Sequence, residues 1–130
     1  MRSPALQHIA LGHRAESGLQ HRLSVIAPRT RLLVEERFAQ WHPVADYAGE
    51  LGYTEKTLAR AVMASMGMSA KVFIATRIAL EAKRPLVHTD WSVLNIAEQL
   101  GFDEPTNFSK FFKREAGCTP MQFRRRQTSF

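Results

Sequence analysis

The chain has 130 residues, of which 45% are hydrophobic and 23% are charged, so the composition excludes an extensively disordered protein and fits one globular domain with a core. Eighteen Lys and Arg against 12 Asp and Glu give a net charge of +6, which favours a polyanionic partner, with nucleic acid ahead of membrane. The single cysteine, Cys118, excludes an internal disulfide and fits a reducing cytoplasm, and no apolar run is long enough to span a bilayer.

The first 30 residues contain few structural signals and are interrupted by glycine, serine and proline, so residues 1–30 are predicted to be a linker or N-terminal extension. From Arg29 to Trp41, apolar side chains recur at helical spacing. This pattern predicts an amphipathic first helix that begins after Pro28 and packs on the unit that follows it. Glu35 and Glu36 of this helix are expected to face water.

Residues 44–67 are predicted to form two helices joined by a tight turn. Gly52 permits the left-handed backbone of the turn, and Thr54 is a suitable N-cap for the second helix. Helical spacing directs three apolar side chains of the second helix inward: Leu58, Ala61 and Val62. The side chains left outside are Lys56, Thr57, Ala59, Arg60 and Met63.

Ser69 is the predicted N-cap of a long connector helix over residues 69–84. At 1.5 Å per residue such a helix spans about 24 Å and can hold two units apart as one rigid body. Pro85 follows directly, and a proline inside a helix costs about 3 kcal/mol because it lacks the N–H and its ring clashes with the preceding turn. We therefore predict that the connector stops or bends near Arg84.

A second pair of helices is predicted over residues 93–117, with Ser92 or Asp90 as the first N-cap and Asp103 or Glu104 as the second. Pro105 suits the first turn of the second helix, where a missing N–H does no harm. Its apolar stripe consists of Phe108, Phe111 and Phe112. The side chains left outside can hydrogen-bond base edges or pair with phosphates: Thr106, Asn107, Ser109, Lys110, Lys113 and Arg114.

The two predicted helix pairs are copies of one another. Val44 and Gly52 correspond to Val93 and Gly101, 49 positions later, and beyond the turn the offset becomes 50. Two copies cannot build a solenoid, so the repeat indicates a tandem pair of helix-turn-helix units. After the second copy, Thr119 and Pro120 open a last helix, and its Arg124–Arg126 are expected either to touch phosphates or to keep the tail soluble.

Three segments of the chain resemble the DNA-binding domain of the AraC/XylS transcription regulators: ADYAGELGYTEKTLARAV, FIATRIALEAKR and IAEQLGFDEPTNFSKFFKREAGCTPMQFR. The resemblance covers residues 31–127. It implies an all-α fold of about seven helices, in which two homeodomain-like helix-turn-helix subdomains are joined by a long connector helix. It also implies sequence-specific binding to a double-stranded DNA operator in the cytoplasm, at the nucleoid, with no cofactor, metal or catalytic residue.

The resemblance further assigns base or phosphate contacts to the first turns of both recognition helices. These positions are Lys56, Ala59, Arg60, Pro105, Thr106, Asn107, Ser109 and Lys110. In that family an effector-binding or dimerisation domain usually precedes the DNA-binding domain, and the chain is expected to lack one because it leaves no room for it. Pro85 departs from the family pattern, which commonly has an apolar, helix-compatible residue there.

Two other functions are compatible with the same residues. One is a nonspecific or architectural DNA binder, and the other is a protein-interaction module for a partner such as RNA polymerase. An enzyme is not predicted, because the five histidines lack metal-binding spacing and the chain has neither a glycine-rich phosphate loop nor a nucleophile elbow.

Overall fold

The computed structural model describes residues 24–128, which form seven α-helices and no strand. In chain order these are α1 (residues 24–37), α2 (Val44–Leu51), α3 (Glu55–Met66), α4 (Ala70–His88), α5 (Val93–Gln99), α6 (Pro105–Ala116) and α7 (Pro120–Thr128). The predicted all-α class is therefore confirmed. Residues 1–23 of the predicted N-terminal extension lie outside the described residues, whereas residues 24–30 belong to α1.

The internal repeat predicted from the sequence is present in the structure. Helices α3 and α6 each contain 12 residues, and each ends at a left-handed glycine, Gly67 or Gly117. The turns that precede them contain Gly52 and Gly101 with φ of 77° and 81°. Only glycine adopts this region without steric strain, so both units make the same turn by the same means.

Helix α1 begins earlier than the sequence predicts. It starts at residue 24, so Pro28 lies inside the helix instead of ahead of it. Ile26 and Ala27 are fully buried and attach this first turn to the core. Burial of two apolar side chains offsets the one backbone hydrogen bond that a proline near a helix start removes.

Helix α1 packs on the first helix-turn-helix unit, as predicted. Arg29 of α1 donates a hydrogen bond to the hydroxyl of Tyr53 at 3.1 Å, and the hydroxyl of Tyr47 donates one to the carbonyl oxygen of Trp41, in the loop after α1, at 2.8 Å. Burial, with a smaller contribution from neighbouring Asp46, raises the pKa of Tyr47 to about 12. Tyr47 therefore stays neutral and keeps its hydrogen bond over the physiological pH range.

The predicted stop of the connector near Arg84 is wrong, because α4 continues through Pro85 to His88; the alternative of a bend stays a prediction. Leu86 is buried beyond the proline, and the carbonyl of Pro85 accepts hydrogen bonds from the backbone N–H and the hydroxyl of Thr89 at 3.0 and 2.6 Å. Tertiary packing and these local bonds thus keep the last turn helical.

Glu35 faces water, as predicted, and it also pairs with a residue of the connector, which was not predicted. Its carboxylate accepts two hydrogen bonds of 2.7 Å from the guanidinium of Arg77 on α4, and that guanidinium also lies over the ring of Phe38. Helix α1 is therefore attached to the connector as well as to the first unit.

None of the described helices alone is long and apolar enough to cross a membrane, and α3 and α4, bent by 68° at their junction, meet that length and composition only as a pair.

Candidate nucleic-acid interface

Local capping fixes where α3 begins. The hydroxyl of Thr54 accepts a hydrogen bond from the N–H of Thr57 at 3.1 Å, as predicted for an N-cap. Leu58, Ala61 and Val62 are fully buried, so the opposite side of the helix faces outward. The prediction of which α3 side chains face inward and which face outward is confirmed.

Helix α6 repeats this division with larger side chains. Phe108 and Phe112 are fully buried, and Phe111 is 9% exposed. Phe102 from the preceding turn packs against Phe108 and Phe111, with ring centroids 5.3 and 5.2 Å apart. This aromatic cluster fixes the rotation of α6 about its axis, and so decides which side chains face outward.

The start of α6 differs from the prediction in one detail. Glu104 occupies the N-cap position, but neither it nor Asp103 forms a side-chain capping hydrogen bond. A glutamate side chain is one methylene longer than the residues that cap well. Pro105 is the first residue of the helix, as predicted, and fixes the backbone there without a capping side chain.

Every candidate contact residue lies on the first turns of α3 or α6 with its side chain accessible. The exposed ones are Lys56, Arg60, Pro105, Thr106, Asn107 and Lys110, and the half-buried ones are Ala59 and Ser109. Lys56 and Arg60 are one turn apart, as are Thr106 and Lys110, so each helix presents one polar strip. The structure thus gives two separate sets of accessible side chains, one on each unit.

The cations of these strips are available to an external anion. Lys56, Arg60 and Lys110 form no ion pair with any other residue in the described range 24–128. Arg114, further along α6, is held 3.5 Å from Glu115 and packs over Phe111. Three unpaired cations therefore lie on the first two turns of α3 and α6.

Arg124 is bound within the fold, a role that the sequence did not predict for this position. Its guanidinium donates hydrogen bonds to the carbonyl oxygens of Leu86 at 3.0 Å and Trp91 at 2.7 Å, with longer contacts to Pro85 and Thr89. Arg124 therefore caps the C-terminus of α4 from α7. For Arg125 and Arg126, phosphate contact and solubility of the tail stay predictions.

Two further positions were missed by sequence reasoning. His42, in the loop after α1, donates from Nε2 to the carbonyl of Leu100 at 2.7 Å, and Gly101 lies against the backbone of Ala39. Each contact joins two segments about 60 positions apart in the sequence, and no local pattern predicts such a contact. Among the described residues no cluster of three or more His, Cys, Asp or Glu is placed to hold a metal ion.

Two equivalent helix pairs, each with a buried stripe and an accessible polar strip, define a tandem helix-turn-helix protein. A family model described as a helix-turn-helix domain matches residues 47–126. The chain belongs to the AraC/XylS family of helix-turn-helix transcription regulators.

Two characterised relatives illustrate the similarity. The chain is 30% identical over 120 residues to the virulence regulon transcriptional activator VirF of Yersinia enterocolitica, a match that covers 92% of this chain and 40% of VirF. It is 28% identical over 96 residues to the HTH-type transcriptional regulator ExsA of Pseudomonas aeruginosa, covering 74% of this chain and 34% of ExsA. The chain thus spans well under half the length of these relatives.

Solved structures show the same fold. The C-terminal domain of AraT, a response regulator from Geobacillus stearothermophilus, matches with a TM-score of 0.75 and 29% identity, over 81% of this chain and 88% of that domain. The DNA-binding domain of AdpA, solved in complex with a target DNA, matches with a TM-score of 0.67 and 23% identity, over 80% of this chain and 96% of that domain.

Proposed function

We propose that this chain binds double-stranded DNA sequence-specifically as part of a transcription regulator, and that α3 and α6 enter consecutive major grooves. The observation that carries this proposal is the repeated polar strip on the first turns of two structurally equivalent helices. A helix of this diameter fits the major groove, where each base pair presents a distinct pattern of donors and acceptors. In helix-turn-helix proteins the N-terminal part of the second helix is the part that contacts bases.

In the first unit, Arg60 is the proposed base-reading residue. Its exposed guanidinium can bind O6 and N7 of a guanine in a bidentate manner, a contact worth about 1–3 kcal/mol of discrimination. Lys56, one turn earlier, is proposed to bind a phosphate or a guanine. Ala59 lies between them and offers only a methyl group, which suits apolar contact with a thymine.

In the second unit, Asn107 and Lys110 are the proposed base-reading pair. The Asn107 amide can bind N6 and N7 of an adenine, and the Lys110 ammonium can bind a guanine or a phosphate. Thr106 and Ser109 contribute hydroxyls that can donate hydrogen bonds to a base edge or to a phosphate. Pro105 has no polar side-chain atom and is proposed to contact a thymine methyl.

The connector makes simultaneous entry of both helices geometrically reasonable. Its 19 residues extend over about 28 Å. Consecutive major grooves on one face of B-DNA are about 34 Å apart. One rigid chain can therefore reach two grooves without a partner subunit.

The regulatory setting is proposed from the relatives. VirF is a transcriptional activator, and we infer an activator's role at a promoter for this chain too, with RNA polymerase as the protein partner. The match covers 40% of VirF, so an effector-binding or dimerisation domain is proposed to accompany the DNA-binding portion in the whole regulator. Such a regulator would reside at the nucleoid.

Selection of binding sites from a random pool of double-stranded DNA tests the proposal, followed by titration of the selected DNA at several salt concentrations. We expect two short conserved segments separated by about one helical turn. Binding without any sequence preference and with a steep salt slope would instead identify a nonspecific binder. Retained binding to RNA polymerase without DNA affinity would identify a protein-interaction module.

A further inference from the structure

The turn of the second helix-turn-helix unit docks on the loop that follows α1. Leu100 is the C-cap of α5, and its carbonyl is among the groups that a helix leaves without an internal donor. His42 supplies that donor from Nε2 at 2.7 Å, a direction fixed by the fact that a carbonyl oxygen can only accept. The imidazole also packs on Phe102, with ring centroids 4.6 Å apart. Because Phe102 contacts α6, the loop after α1 is coupled to the second recognition helix.

The internal repeat shows that this docking is specific to the second unit. Gly52 and Gly101 hold equivalent positions with nearly equal φ, 77° and 81°. A Cβ added at Gly52 would meet nothing within 4 Å. At Gly101 it would overlap the backbone carbonyl oxygen of Ala39 and lie 3.4 Å from Nε2 of His42. Gly52 is thus required only for its backbone conformation, whereas Gly101 is also required for close approach.

The same segment of chain contacts the first unit and the connector. Arg29 donates to the hydroxyl of Tyr53 in the first turn at 3.1 Å, and Glu35 binds Arg77 of α4 through two hydrogen bonds of 2.7 Å. Residues 29–42, which we name the brace, therefore touch both turns and the helix between them. The connector by itself is a single covalent link between the two units. The contacts of the brace add a second link, which restricts rotation of one unit relative to the other.

We propose that the brace fixes the separation and relative rotation of the two recognition helices, and that Gly101 and His42 are positioning residues that set which half-site spacing the protein accepts. This inference rests on the proposed function. Inserting one base pair between two half-sites moves one of them by about 3.4 Å and rotates it by about 35°. A protein whose two units are held rigidly cannot contact both half-sites after that shift, whereas a protein whose second unit can move relative to the first can do so.

The first arm of the test measures the protein without DNA. Spin labels at Ser65→Cys on α3 and Lys113→Cys on α6, both exposed positions, report the distance between the recognition helices in a Cys118→Ala background. We expect one narrow distance distribution for the otherwise unchanged chain and for Gly52→Ala, and a broadened one for Gly101→Ala and His42→Ala. Gly52→Ala is the matched control, because it introduces the same backbone strain without the overlap. Equal broadening by both glycine variants would overturn the proposal.

The second arm measures binding to selected DNA with its natural spacing and with one base pair inserted. The unchanged chain and Gly52→Ala should lose about tenfold or more in affinity on the inserted DNA, and Gly101→Ala should lose no more than about threefold. His42→Ala removes the hydrogen bond and ring contact without any new atom, so it carries the test if Gly101→Ala does not fold.

The outcomes separate this inference from the proposed function. If the unchanged chain selects its half-sites but accepts either spacing equally, the brace is refuted and the proposed function stands. If Gly101→Ala and His42→Ala keep the full spacing preference, the positioning role is refuted in the same way. If the unchanged chain shows no sequence preference at all, the proposed function fails and the inference fails with it.

Discussion

A carboxylate and a guanidinium 42 positions apart join α1 to α4. The hydrogen bonds from Arg77 hold the pKa of Glu35 below its ordinary value of 4.5, and the pKa of Arg77 is raised by the same contacts. Because the folded-state pKa of Glu35 is lowered, its stabilisation is fully present above about pH 4.5 and is lost as the pH falls through the lowered pKa.

Glu35→Gln is therefore expected to lower the free energy of unfolding at pH 7 and to have a smaller effect at pH 3. The side chain of Glu35 is 59% exposed, so the difference at pH 7 should be about 0.5–1 kcal/mol and should shrink with added salt. Urea unfolding at both pH values measures it. Glu36→Gln is the matched control, since Glu36 forms no ion pair within residues 24–128. A loss of the same size at both pH values would show that packing, not charge, is responsible.

Side-chain exposure at the candidate interface could be predicted because it depends on local periodicity. Phe108, Phe111 and Phe112 recur at helical spacing and form one buried stripe, so a polar residue off that stripe, such as Lys110, faces outward on an amphipathic helix. The Glu35–Arg77 pair has no such periodicity, because its partners lie on different helices. Whether Lys110 contacts a base is a property of the complex and stays a prediction.

At the scale of the helices, the caps of α3, α4 and α5 were predicted correctly, whereas the cap of α6 and the effect of the prolines were not. Thr54, Ser69 and Ser92 each accept the expected hydrogen bond from the N–H three residues later. Pro28 and Pro85 were interpreted as helix limits, yet both lie inside helices. A cap is a local arrangement, whereas the penalty of a proline is offset by contacts with distant parts of the fold.

Arg124 on α7 is the distant residue that stabilises the end of the connector. Its substitution should change the stability of the protein measurably. Arg124→Ala should lower the free energy of unfolding by about 2 kcal/mol, because several carbonyls at the C-terminus of α4 lose a charged donor. Arg124→Lys should recover less than half of that loss, because an ammonium cannot reproduce the planar fork of donors. Denaturant unfolding of both variants provides the comparison. Full recovery by lysine would attribute the effect to charge near the helix C-terminus alone.

At the scale of the whole molecule, the two units share one hydrophobic cluster that runs from Ile26 in α1 to Phe112 in α6. The sequence repeat predicted two units of equal design. It could not predict their relative placement, because that depends on contacts such as Gly101 against the backbone of Ala39, which leave no side-chain pattern. If the proposed function is correct, this shared core makes the two recognition helices act on DNA as one body.

Binding of single variants to half-scrambled DNA tests whether each helix reads its own half-site. Arg60→Ala and Lys110→Ala should each lose about 1–3 kcal/mol on the selected DNA and much less on random DNA if they contact bases. On DNA in which one half-site is scrambled, the variant whose helix reads that half-site should bind as well as the unchanged chain binds the same DNA. The other variant should keep its full loss, because its contacts are untouched.

Lys71→Ala is the matched control for charge, because Lys71 is an exposed cation on α4 that forms no ion pair within residues 24–128 and lies on neither recognition helix. It should weaken binding to every DNA about equally or not at all. Equal losses for Arg60→Ala on selected and random DNA would reassign Arg60 to a phosphate contact, and the same comparison applies to Lys110. If both variants responded to scrambling of the same half-site, the two helices would share one groove, and the proposed arrangement in consecutive grooves would be wrong.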